Sequence, residues 1–128
     1  MLRYLLVMIA VLATLLSAGQ TLALEVAEAV ITTAVVDREP VDDVGVFPIQ
    51  NGQLYCFSRI TGATEATFVY HLWYRGERLM SRAELPVNSP DWRTWSAKKF
   101  LGDEPGQWRI EIQDASGKTL KQVDFQLR

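Results

Sequence analysis

Trp92-Arg93-Thr94-Trp95-Ser96, with Lys98 two residues beyond and His71-x-Trp73 upstream, gathers most of the reactive and adhesive chemistry in this chain. An indole offers a flat apolar face to a sugar ring or apolar group and one N–H donor at its edge. A guanidinium and an ammonium offer charge to a carboxylate or phosphate. The same groups can serve the fold instead, by laying a guanidinium on an indole, a contact worth about 0.5–2 kcal/mol according to burial. His71, Trp73, Trp92, Arg93, Trp95 and Lys98 are therefore the candidate binding residues. Scaffolding is the first expectation for the motif and a ligand platform the second. Glu84 and Asp91 are the carboxylates within reach in sequence that would make Arg93 an internal partner.

The remaining chemistry is sparse. His71 is the sole histidine, and metal sites ordinarily recruit two or more nitrogen or sulfur ligands, so it is expected to be tied into a local hydrogen bond. Cys56 stands alone inside Leu54-Tyr55-Cys56-Phe57, which excludes a disulfide within the domain and suits a small buried hydrophobe. Asp37, Glu39, Asp42 and Asp43 crowd one loop and raise the question of calcium, but their spacing matches no ligand loop and a solvated turn is expected. The chain has no Gly-x-Ser-x-Gly elbow, no His-Glu-x-x-His and no phosphate-binding glycine loop. A His71 dyad with Ser58, Ser81 or Ser96 requires the fold to bring them together. No catalytic residue, metal or cofactor is expected.

The elements that must position these residues read as strands. Ala29–Val36, Leu54–Ile60, Ala66–Tyr74, Leu79–Val87, Trp92–Lys98, Gln107–Gln113 and Thr119–Leu127 are separated by turn residues, among them Asn88-Ser89-Pro90-Asp91 and Asp114-Ala115-Ser116-Gly117. Trp108, Ile110 and Ile112 alternate with Arg109, Glu111 and Gln113, as in a half-buried antiparallel strand. Phe68, Tyr70, Leu72 and Tyr74 lie opposite Val69, His71 and Trp73, so both faces of that strand are bulky, as in a central strand or one covered by a loop or partner. Within the motif, Trp92, Thr94 and Ser96 share one face, and Arg93 and Trp95 the other. About seven short strands predict an all-β, immunoglobulin-like antiparallel sandwich.

Residues 1–23 read as a secretory signal peptide: Arg3, an apolar run from Tyr4 to Leu16, and a small, polar exit with cleavage before Leu24. The run is shorter than the roughly 20 residues that span a bilayer, so an uncleaved anchor is the secondary expectation and the only route to a membrane association. The domain over 24–128 is large enough for one core. Losing Arg3 leaves 12 Lys and Arg against 15 Asp and Glu, a balance that argues against nucleic acid as a partner.

The segments Thr33–Val41, Leu54–Ala63, His71-Leu72-Trp73-Tyr74, Leu85-Pro86-Val87, Trp92-Arg93-Thr94-Trp95-Ser96-x-Lys98 and Gly106-x-Trp108-Arg109 together resemble the bacterial domain of unknown function 2914 family. Ala97 stands where a second serine is common in that pattern, and Ser58 where threonine is common. The resemblance implies an exported or membrane-tethered β-domain, often joined to other modules, with no established reaction. The expectation is an exported, periplasmic or extracellular, non-catalytic module that contacts an envelope protein or cell-wall component through the Trp/Arg region. A glycan or small-ligand domain with an indole platform is the alternative, and an enzyme using His71 as acid/base the third.

Overall fold

The computed structural model describes residues 23–48, 52–100 and 104–128, so the expected signal peptide lies outside the described residues except for Ala23. Among the described residues no helix is long and apolar enough to cross a membrane. The chain forms β1 (Glu25–Thr32), β2 (Val35–Val36), β3 (Glu39–Pro40), β4 (Val46–Phe47), β5 (Gly52–Thr61), β6 (Thr67–Arg75), β7 (Arg78–Val87), β8 (Asp91–Phe100), β9 (Gly106–Gln113) and β10 (Thr119–Leu127). Of the two main sheets one has the order β1-β5-β8 and the other β4-β10-β9-β6-β7, and β2 and β3 form a separate two-stranded ribbon. All the long pairings are antiparallel, and the short β4 runs parallel to the end of β10. This is the immunoglobulin-like sandwich. β1, β5 and β8 take the places of strands A, B and E, and β4, β10, β9, β6 and β7 those of A′, G, F, C and C′.

The seven long strands are those the alternation predicts, with one difference. The β-branched run expected as a single strand over Ala29–Val36 breaks after Thr32. Asp42 holds it there, accepting from the Thr32 hydroxyl at 2.7 Å, the Thr33 N–H at 2.8 Å and the Thr33 hydroxyl at 2.6 Å. These bonds, the Thr33 hydroxyl first, keep the Asp42 carboxyl below its ordinary range. Val35–Val36 then pairs with Glu39–Pro40 across Asp37 (φ 53°) and Arg38 (φ 62°), the left-handed pair that a type I′ hairpin turn requires. β-branched residues favour extended backbone everywhere in the run. The break is set by a carboxylate ten residues along the chain.

The hairpin of β2 and β3 crosses the outer face of the β1-β5-β8 sheet as far as β8. Glu39 pairs with Arg93 at 3.1 Å, and the Arg38 guanidinium lies 5.5 Å from the centroid of Trp92. Phe57 points to that outer face yet is fully buried.

Between the sheets, an aromatic cluster fills one end of the core. Phe100 meets Trp108 edge to face at 5.0 Å, Phe125 stacks on Trp108 at 6.0 Å, and Trp73 abuts both Phe100 and Phe125. Trp73 sits on the strand where immunoglobulin domains carry their core tryptophan. Cys56 is buried on the B-type strand, while the F-type strand β9 points Trp108, Ile110 and Ile112 inward. The inter-sheet disulfide common in that fold is thus absent, and burial pushes the lone thiol far above its ordinary pKa.

Gly62 closes the turn after β5 in a left-handed conformation, φ 91°, donating its N–H to the Pro90 carbonyl at 3.0 Å. Gly62→Ala is expected to cost about 1 kcal/mol or more in denaturant unfolding, since this left-handed backbone is unfavourable for alanine. Gly45→Ala, with nothing within 4 Å, is the control and is expected to be near neutral.

Candidate functional site

The fold divides the six candidate residues among three environments. His71 and Trp73 point inward from β6 and are fully buried. Around them lies a polar tie between the two sheets. Ser58 Oγ is 3.0 Å from His71 Nε2 and donates to the Thr94 carbonyl at 3.1 Å. Ser96 Oγ is 2.7 Å from His71 Nδ1 and accepts the Trp73 indole N–H at 3.0 Å. One placement of protons serves every partner. Trp73 Nε1–H donates to Ser96, the Ser96 hydroxyl to Nδ1, Nε2–H to Ser58, and the Ser58 hydroxyl to Thr94. The other neutral tautomer would leave the Ser96 hydroxyl without an acceptor among these groups, and a protonated ring would do the same. The geometry therefore requires a neutral imidazole, and burial lowers the His71 pKa from 6.5 to about 4.

The expectation of a locally hydrogen-bonded histidine holds, and its partners are two of the three serines considered for a dyad. Ser81 instead lies on β7, in register with Trp73. Ser58 and His71 have no exposed surface and Ser96 has 7 %, so the ring and both hydroxyls are sealed from any substrate. The arrangement can fasten two sheets. It presents no atom to a ligand, and His71 and Trp73 do not belong to a surface site.

Lys98 occupies the second environment. It follows Thr94 and Ser96 on the inner face of β8, so its stem covers the aromatic end of the core. Its ammonium lies 5.0 Å from the Phe100 centroid and 5.4 Å from that of Trp108, and 3.5 Å from Glu104 Oε2. Glu104 in turn accepts the Trp108 indole N–H on its carbonyl at 3.0 Å. The lysine expected to meet an external anion is matched to an internal carboxylate and caps the core.

Trp92, Arg93 and Trp95 are the candidates that do share a surface. With Pro86, Asn88 and Thr94 they line a shallow groove of about 190 Å³, where the edge strands β7 and β8 of opposite sheets approach each other. Trp95 is 36 % exposed and rests on Phe57, ring centroids 6.5 Å apart and planes at 19°. Arg93 lies directly across from Arg59 in the β5–β8 register. Each guanidinium has its own carboxylate. Asp91 takes Arg59 through two bonds of 2.8 and 2.6 Å, and Glu39 takes Arg93 at 3.1 Å. Among the described residues Arg93 stacks on neither neighbouring indole: Trp92 lies on the opposite face, and toward the face that Arg93 shares with Trp95 its guanidinium is taken by Glu39. The cation over Trp92 is Arg38, from the hairpin.

Asn88, Pro86, Arg38 and Glu39 were not singled out as site residues by the sequence. Pro86 and Asn88 close the hairpin-like passage into β8, and their adjacency to Trp95 depends on how the two sheets pack. Asp91 was foreseen as a partner for Arg93, but it belongs to Arg59.

The second bulky strand face is also explained. Phe68, Tyr70, Leu72 and Tyr74 point outward from β6, and arginines of the same sheet lie on them. Arg82 sits 4.1 Å from the Tyr70 centroid and Arg109 4.1 Å from that of Tyr74. Leu72 is left 7 % exposed. That face is finished by its own cations, as aromatic rows on exposed sheet faces can be. Among the described residues, no group of three or more His, Cys, Asp or Glu is placed to hold a metal ion.

Residues 66–127 match the model of a family described as protein of unknown function (DUF2914). The match contains His71-x-Trp73, Leu85-Pro86-Val87, the Trp92–Lys98 motif and Gly106-x-Trp108-Arg109, whereas the segments at 33–41 and 54–63 lie before it. No curated protein matches the chain.

Proposed function

We propose, from the match of residues 66–127 to the DUF2914 family model, that this chain is an exported, non-catalytic interaction module of the cell envelope. Its binding surface is the groove of Trp92, Arg93 and Trp95, and its partner is an envelope protein or cell-wall component on the periplasmic or extracellular side. The observation that carries the proposal is the division of the four tryptophans. Trp73 and Trp108 spend their N–H groups inside the core, while Trp92 and Trp95 line an open groove beside a guanidinium. The signal-peptide pattern of residues 1–23 supports export, and the sealing of His71, Ser58 and Ser96 supports a role without catalysis. The exposed indole of Trp95 also favours the alternative of a glycan-binding domain, since a sugar ring stacks on such a face.

Indole N–H resonances of the 15N-labelled protein test the proposal directly. Titration with a solubilised envelope-protein fraction, and separately with peptidoglycan fragments, is expected to shift or broaden the Trp92 and Trp95 signals and leave Trp73 and Trp108 in place. Arg93→Ala should weaken the response. A response confined to the Tyr70 and Tyr74 face, or none with either material, would sink the groove as the binding surface.

A further inference from the structure

The groove has a one-sided hydrogen-bond character. Among the described residues, the indole N–H groups of Trp73 and Trp108 find acceptors at 3.0 Å, and those of Trp92 and Trp95 find none. Arg93 Nε is buried without a hydrogen-bond partner. The neighbouring carboxylates are engaged, Glu39 by Arg93 and Asp91 by Arg59. Asn88 and Thr94 are the lining residues whose side chains carry an acceptor as well as a donor. The wall therefore supplies indole surface and more side-chain donors than acceptors, the latter being those of Asn88 and Thr94. A complementary occupant is rich in acceptors, poor in donors, and apolar where it meets the rings.

We infer, resting on the interaction-module proposal, that the groove receives an extended proline-rich segment of a partner protein. A proline presents an apolar ring and a tertiary-amide carbonyl, and it has no N–H to satisfy. In the polyproline II conformation its carbonyls carry no internal hydrogen bonds and face outward, and the stiffness of the chain lowers the entropy lost on docking. Aromatic-lined grooves with an indole donor are a recurring solution for such segments. A neutral sugar fits this wall less well. Its hydroxyls bring donors that need acceptors, and among the lining side chains only Asn88 and Thr94 could supply them. The positive charge of Arg38 over Trp92 further favours carbonyl-rich or acidic partner sequence over basic sequence.

The test uses the same four indole resonances with three probes: an oligoproline peptide, a Gly-Ser peptide of equal length, and an N-acetylglucosamine oligomer. Oligoproline is expected to move Trp92 and Trp95 and leave Trp73 and Trp108 unmoved, with little response to the Gly-Ser peptide. Trp95→Ala should weaken oligoproline binding about tenfold, as for an anchoring aromatic, and Asn88→Ala provides a second variant away from the core. If the Gly-Ser peptide acts equally well, or if the sugar oligomer moves the groove indoles and oligoproline does not, the proline assignment is overturned while the groove stands as a binding surface. If no probe and no envelope material moves these indoles, both proposals fall together.

Discussion

Lowering the pH from 6.5 to about 4 is expected to remove about 3 kcal/mol of folding stability through His71 alone. The ring is held neutral in the folded state, with a pKa lowered to about 4 by burial, against 6.5 when exposed. Between those values the unfolded chain binds one proton more than the folded chain, so stability rises with pH at up to about 1.4 kcal/mol per unit. The contribution is complete above pH 6.5 and is lost as the pH falls through the window. Asp42, Asp91 and Asp114 act elsewhere. Hydrogen bonds led by Thr33, Arg59 and Ser116 hold their carboxyls below 3.8, so their contributions persist until the pH falls past that value. Urea unfolding at a series of pH values measures the slope, and His71→Gln should flatten it. Because His71 is the only histidine, its ring proton resonance gives an independent reading without assignment. A midpoint near 6.5 in the folded protein would show that the Ser58–His71–Ser96 tie does not hold the ring neutral.

Trp73→Ala is expected to cost about 3–5 kcal/mol and Trp95→Ala about 1 kcal/mol or less, although both residues belong to the pattern that marks this chain. Removing Trp73 empties the middle of the core, exposes a gap against Phe100 and Phe125, and takes away the donor that fixes Ser96. Cavity formation and a broken polar tie both enter that figure. Removing Trp95 strips one ring from an exposed sheet face and its stacking on Phe57. For a domain of this size the first change should lower the melting temperature by about 15 °C or more, or prevent folding, and the second by less than about 8 °C. Equal losses in the two variants would mean that Trp95 is scaffolding like Trp73, leaving the groove without its main claim to a ligand.

The strands themselves were legible because each obeys a local rule. In β9 and β10, Trp108, Ile110, Ile112, Phe125 and Leu127 alternate with polar residues and all five are buried. The same rule placed Thr94 and Ser96 opposite Arg93 and Trp95. It also puts Lys98 on the inner side with Thr94 and Ser96, against its selection as an anion-binding residue. A lysine can occupy an inner position at the end of a sandwich, where its stem covers rings and its ammonium reaches a carboxylate. Residue type pointed outward, and strand geometry decided.

The short hairpin was not legible. Val35 and Val36 prolong the β-branched run, and nothing within it signals the turn that Asp42 imposes at Thr32 and Thr33. The partners of Arg93 and Lys98 were hidden for a related reason. Glu39 and Glu104 reach them only because a hairpin crosses a sheet and because β8 and the approach to β9 close over one end of the core.

By itself, the sequence determined an all-β domain of about seven principal strands, a single unpaired thiol, and which side chains share a face, since period-two alternation and turn residues act within a few positions. Tertiary structure alone decided that His71 and Trp73 fasten the two sheets, that Lys98 caps the core, and that Trp92, Arg93 and Trp95 meet Pro86 and Asn88 at a groove. Those outcomes depend on which strand edges and faces approach one another, and that is settled by packing two sheets around one core.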